Sequence, residues 1–182
     1  MDDFRRYFFI FQTNWLLLKM KATNKGGVHM DYQSINDPLV YRRILLTIDE
    51  DDNESIIKAF RFAVTLAHDY GAYLGIVSVL ENEDINIFDS LTPAKLKEKR
   101  EELEAAVNHY VKLAEKIGLK KVEPLVYEDG YIDDVIIDRV IPDFNPDLIV
   151  TGADMIDPRS KITASVGSRL AKKAPVSVIV VR

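Results

Sequence analysis

The chain has 182 residues, 47% of them hydrophobic and 29% charged, with a formal net charge of -5 and no cysteine. That is enough chain for one globular domain with a short appendage, and a domain of about 150 residues buries roughly 70% of its unfolded surface without help from metal or disulfide. The missing cysteines exclude disulfides, thiolate catalysis and Cys-based zinc sites and fit a reducing, cytoplasmic setting, while the acidic balance argues against nucleic acid or anionic lipid as partners.

Residues 1–40 read as an extension. Phe4 to Phe11 and Trp15 to Leu18 are aromatic and apolar, but Gln12-Thr13-Asn14 interrupts them short of the roughly 20 apolar residues of a membrane span. Asp2-Asp3 and the lack of an Ala-x-Ala site spoil a signal peptide, and an interfacial helix anchored by Lys19 and Lys21 is the remaining membrane reading. Lys25-Gly26-Gly27 can be encoded by a ribosome-binding sequence just upstream of Met30. The expectation is that residues 1–29 are an over-extended reading frame with the start at Met30.

From Tyr41 onward short β-rich runs alternate with helical patterns. Arg43 to Asp49 is the first strand. After an acidic turn, Ile56, Ala59, Phe60, Ala63, Val64 and Ala67 recur at helical spacing up to a stop at Gly71. Tyr73 to Leu80 is the second strand. A long connection, Glu81 to Leu91, leads to Thr92-Pro93, an N-cap with proline at the first helical position. Leu96, Leu103, Val107, Tyr110, Leu113, Ala114 and Ile117 give the second helix its apolar face, and Gly118 ends it. Val122 to Tyr127 is a third strand whose Pro124 predicts a sheet edge. Gly130 turns into a third helix carrying Ile132, Val135, Ile136 and Val140 and ending before Pro142. Asp147 to Thr151, Ser165 to Lys173 and Val176 to Val181 are the fourth strand, fourth helix and fifth strand. The alternation predicts an α/β fold, an open doubly wound five-stranded parallel sheet with helices on both faces, over residues 41–182. Ligands in such sheets bind at the carboxyl ends of strands near the switch point, where Asp49, Val79 and Gly152 fall.

The order of these elements, the aspartate closing strand one, the Gly152-led loop before a short helix, and the final Ala174-Pro175-Val176-Ser177-Val178-Ile179-Val180-Val181 resemble the universal stress protein family over nearly all of Tyr41 to Arg182. The resemblance implies a Rossmann-like fold related to the adenine nucleotide alpha hydrolases, a homodimer paired through the last strand, and a division between members that bind ATP and members that do not. In the binding branch a Gly-x-x-Gly-x9-Gly-Ser/Thr loop follows strand four. Here its positions fall on Gly152, Met155, Ala164 and Ser165, followed by Val166, and the second interval is one residue short. A left-handed backbone at Met155 would cost about 1–2 kcal/mol relative to glycine, and the Ala164 methyl would obstruct close approach of the backbone to phosphate. Ser165 and Ser168 remain as donors, with Arg159, Lys161 and Arg169 as sources of charge. The same loop also reads as a solvated connection whose serines cap a helix, and Gly152 as a tight turn with positive φ.

By the same resemblance Asp49 lies beside the adenosine part of a nucleotide, and the backbone of Val79 meets adenine. Read without it, Asp49 is a turn residue and Val79 strand core. The turn Asp49-Glu50-Asp51-Asp52-Asn53-Glu54 would repel a triphosphate unless a cation such as Mg²⁺ intervened. As a calcium loop it fails, with Glu54 at the glycine position and Phe60 at the closing glutamate. His68 and His109 sit on separate helices without a ligand set, the charged run Lys95 to Glu104 is a solvated helix face, and no nucleophile elbow or Gly-Lys-Ser/Thr loop is present. The sequence therefore points to a dimeric stress-response protein with weak or absent ATP binding. The alternative is an adenine-nucleotide-binding protein using the strand-four loop. Weak ATP hydrolysis is the only candidate activity. A terminal strand as apolar as Val176 to Val181 would leave a sticky edge unless a second chain covered it.

Overall fold

A computed structural model describes residues 38–48, 53–81, 93–128, 130–153 and 165–182. Residues 1–37 of the N-terminal extension, Met30 among them, and the loop residues Asp49, Met155, Arg159, Lys161 and Ala164, lie outside the described residues. Residues Leu39–Arg182 form one compact unit.

Five parallel strands, β1 (Arg43–Thr47), β2 (Tyr73–Leu80), β3 (Val122–Glu128), β4 (Leu148–Gly152) and β5 (Ser177–Val181), stand in the order β3-β2-β1-β4-β5. The expected sheet is the one found. Helices α1 (Asn53–Tyr70) and α2 (Pro93–Ile117) cover one face, packing Ile56, Ala59, Ala63, Val107 and Ala114 against Ile44, Leu46, Ile76 and Val150. On the other face lie α3 (Ile132–Phe144) and α4 (Val166–Lys173), whose Ile136, Val140, Val166 and Leu170 meet Leu45, Val77, Val79 and Ile149. Right-handed crossovers require this division, because the chain moves one way across the sheet from β1 to β3 and the other way from β3 to β5. The central strands are buried on both faces, which is why their sequences are unbroken apolar runs rather than alternating ones. Gly71 and Gly118 close α1 and α2 with positive φ, as their positions in the sequence predict. No described helix is long and apolar enough to cross a membrane.

Pro124 does lie on an edge strand. Leu74 N–H donates to Lys121 O, so the odd residues of β3 face β2, and Pro124 turns its missing N–H outward, where no ladder bond is lost. The expected end of α3 before Pro142 does not hold. The helical run continues to Phe144 by widening into a π turn over Ile136–Val140, with Ile141 N–H donating to Ile136 O. The wide turn falls where a regular one would set the Pro142 ring against the Asp138 carbonyl and find no N–H to bond it. Asn145, at φ 52, then stops the helix in the left-handed conformation.

Candidate functional site

β1 and β4 are neighbours, yet the chain leaves them in opposite directions, so a crevice opens between their carboxyl ends. Thr47, Ile48, Thr151 and Gly152 form its floor, all of them buried. The first turn of α1 arrives from one face and that of α4 from the other.

Gly152 is there for space rather than for a turn. Its φ is not in the left-handed region, contrary to the tight-turn reading. A Cβ at this position would sit 2.0 Å from Ser55 Oγ and 3.1 Å from Ser55 Cβ. The buried Ser55 of α1 thus fills the volume that a side chain would take, and the glycine lets helix and strand meet. Gly167 repeats the device on the other face, where a Cβ would lie 3.0 Å from Thr151 Cγ2 and 3.2 Å from Val180 Cγ2. It seats α4 across β4 and β5.

Val79 is 7% exposed, and its side chain belongs to the core under α3 and α4. Its backbone is another matter. Tyr73 N–H donates to Arg42 O and Ile48 N–H to Val77 O, so the odd residues of β2 turn their peptide groups toward β1. Val79 continues that series, so its peptide groups turn to the β1 side of β2, with its C=O beyond Ile48 at the crevice. Tyr127, its partner in register on β3, donates its hydroxyl to Asp143 Oδ2 at 2.8 Å. Burial and that hydrogen bond push the phenol up to about 12, so it stays neutral at working pH. Glu81, at the end of β2, accepts from Ile132 N–H at 3.2 Å and caps α3, whose own N-cap residue Tyr131 makes no side-chain cap bond.

At α4, Ser165 is the N-cap: its Oγ accepts from Ser168 N–H at 3.2 Å and lies 3.1 Å from Ser168 Oγ. Val166 is buried in the core, so only its backbone faces the helix end. Arg169, expected as a source of charge for phosphate, instead reaches across to α3. Its Nε donates to Asp133 Oδ1 at 2.9 Å, and Lys173 Nζ donates to Asp133 Oδ2 at 2.9 Å and to Asp134 Oδ1 at 3.1 Å. Asp133 is 2% exposed. Burial alone would raise its pKa, but hydrogen bonds from Lys173 and Arg169 and the field of both cations outweigh it and hold the carboxyl below its usual range. The structure thus gathers Val79, Gly152, Ser165 and Val166 at the carboxyl end of the sheet. It adds Ser55, Glu81 and Asp133, which the sequence reading did not single out.

A sequence model described as the universal stress protein family matches residues 40–182. The chain belongs to the universal stress protein family. Among solved structures it is similar to universal stress protein UspA from Lactobacillus plantarum, at 22% identity over 80% of this chain and 100% of that one, TM-score 0.66. It is also similar to a universal stress protein from Archaeoglobus fulgidus in complex with dAMP, at 20% identity over 79% and 100%, TM-score 0.54. A universal stress protein in complex with cAMP matches at 19% identity over 79% and 99%, TM-score 0.58. Likeness at these identities establishes the fold. No curated protein matches the sequence.

Two consequences can be measured on this stress protein. Gly152→Ala should cost about 1–3 kcal/mol through overpacking against α1, and Ser55→Ala in the same chain should recover part of that loss. Denaturant midpoints of the two single variants and the double variant check it, and additive effects would show that the two residues do not share the space. Asp133→Asn should cost about 2 kcal/mol near neutral pH, less than for a fully buried pair because both cations retain a path to water. Because folding lowers the Asp133 pKa, its contribution is present above the unfolded value of about 3.9 and is lost as pH falls through the folded one. The variant's stability should therefore fall less steeply than the parent's below about pH 4, as followed by thermal melts across the acid range.

Proposed function

We propose that this universal stress protein is a homodimeric regulatory protein of the stress response whose crevice holds an adenine nucleotide by its nucleoside half and binds ATP weakly or not at all. The observation that carries this reading is the engagement of Arg169. The cation in the first turns of α4, beside the loop that would hold phosphates, is bound to the buried Asp133. Ser165 Oγ takes up the Ser168 N–H, one of the amides a phosphate would use at this helix end, and the side of Gly152 toward α1 is filled by Ser55. The polyphosphate half of the site is thus short of donors among the described residues. The nucleoside half is better provided, because the Val79 C=O lies beyond Ile48 at the crevice. The related structures with cAMP and dAMP support an adenine mononucleotide as the ligand class. The lack of cysteines fits a reducing, cytoplasmic setting.

The two edges of the sheet differ in a way that supports pairing through β5. On β3, Pro124 presents no outward N–H, and the outward Glu128 carbonyl accepts from Arg139 Nη1 at 2.6 Å. Arg100 also grips the Glu128 carboxylate. On β5, Ala153 N–H donates to Val181 O, so Ser177, Ile179 and Val181 face β4 while Val178 and Val180 turn their peptide groups outward. Neither is a proline, and an open apolar edge favours a second strand.

Calorimetric titration should give measurable binding of adenosine and AMP, with ATP binding no tighter than AMP with or without Mg²⁺; low-micromolar ATP affinity would overturn the reading. Sedimentation should find a dimer in the parent chain and a folded monomer in Val178→Pro, which removes an outward donor without breaking the β4 ladder. Val126→Pro on the β3 edge should leave the dimer intact. A monomeric parent would end the dimer proposal.

A further inference from the structure

Asp133 is a carboxylate buried between α3 and α4. A first-turn acid on a helix ordinarily faces solvent and gains from the helix dipole. This one is turned inward between α3 and α4, with a carboxylate oxygen on each of two cations, while Asp134 takes the second bond of Lys173. Side chains on a helix lean toward its N-terminus, so Arg169 covers the turn that begins at Ser165, the end of α4 next to the crevice. It is the charged group best placed on α4 to meet an anion at that end. The buried Asp133 carboxylate already holds it, at 2.9 Å.

We infer that Asp133 is a specificity-determining residue of the nucleotide site: it acts as an internal anion that occupies Arg169 and so discriminates against phosphate charge on the ligand. The inference rests on the adenine-nucleotide reading above. A phosphate entering at the head of α4 meets a cation whose charge is spent, and it must compete with a carboxylate held in place by the fold at no cost in association entropy. The discrimination should grow with phosphate charge and vanish for the uncharged nucleoside. Asp134, half-exposed and bonded to Lys173, has no such role.

The test is a comparison of adenosine, AMP and ATP by calorimetric titration on the full chain and its variants. Asp133→Asn should leave adenosine affinity unchanged and raise AMP and ATP affinity by roughly tenfold or more, the scale of one charge-assisted contact released to the ligand. Asp134→Asn should change none of the three. Asp133→Asn with Arg169→Gln should return AMP and ATP to the parent values. A gain that persists in that double variant would mean only a general loss of negative charge and would overturn the proposal, as would an equal gain for adenosine. Arg169→Gln alone, which leaves Asp133 paired with Lys173, provides a test that does not depend on how well Asp133→Asn folds. It should leave ATP affinity unchanged, and a tenfold loss would show Arg169 already on the phosphate. Adenosine binding without any phosphate-dependent gain overturns the role of Asp133 alone; no binding of adenosine by any variant overturns the nucleotide reading with it.

Discussion

The pairing of β1 with β4 is the constraint on which the rest of the molecule depends. These two strands are adjacent in the sheet but separated by about a hundred residues of chain, and the contact is fastened at its amino end by Asp147. Its carboxylate accepts from Arg42 N–H at 2.7 Å and Arg43 N–H at 3.0 Å, while Asp147 N–H donates to Arg43 O. Arg43 then turns its Nε to the Phe144 carbonyl at the end of α3 and lays its guanidinium 4.3 Å from the Phe144 ring centroid. The crossover that returns the chain from β3 to β4 is thereby fixed at both its helix and its strand. With β1 and β4 side by side, the helices that follow them must diverge, and the crevice at their carboxyl ends is a consequence of topology rather than of any particular side chain.

That separation explains how a site can keep its architecture while its chemistry changes. The Gly152 contact with Ser55 and the Gly167 contact with Thr151 and Val180 both set helices against strands, and both would be needed whether or not a ligand bound. Glycines at a strand end and in the first turn of a helix look like a phosphate cradle because both uses ask for the same thing, backbone free of a Cβ. What distinguishes them is charge. Here Arg169 of α4 is directed inward, to Asp133, while the close packing at Gly152 and Gly167 remains.

The sequence made the periodic features legible and concealed the long-range ones. Parallel strands, helix faces, the glycine stops at Gly71 and Gly118, and the edge position of Pro124 each follow from local patterns whose physical meaning is unambiguous. Pro142 misled because a proline ordinarily ends a helix, and no local signal announces that a π turn over Ile136–Val140 will accommodate one. Gly152 misled in the same way, since a glycine needed for a neighbour ninety-seven residues away looks like one needed for its own φ. Asp133 was the hardest to see. In Ile132-Asp133-Asp134-Val135 it is one of two adjacent acids in a first helical turn, and only the packing of α4 decides that it faces the core while Asp134 does not.

The helix α4 joins these threads, because it is held on three sides by different means. Its N-terminus is closed by Ser165, its underside rests through Gly167 on β4 and β5, and its flank is fastened to α3 by Arg169 and Lys173. An eight-residue helix has little stability of its own, so these contacts determine where it lies. The contact with α3 is ionic and directional: a buried carboxylate sits between two cations that still reach water, and it loses compensation if either is removed. A cation recruited to hold a short helix in place is thereby withdrawn from ligand chemistry. In the proposed reading, weak phosphate affinity and the fixing of α4 against α3 have one cause, the ion pair at Asp133.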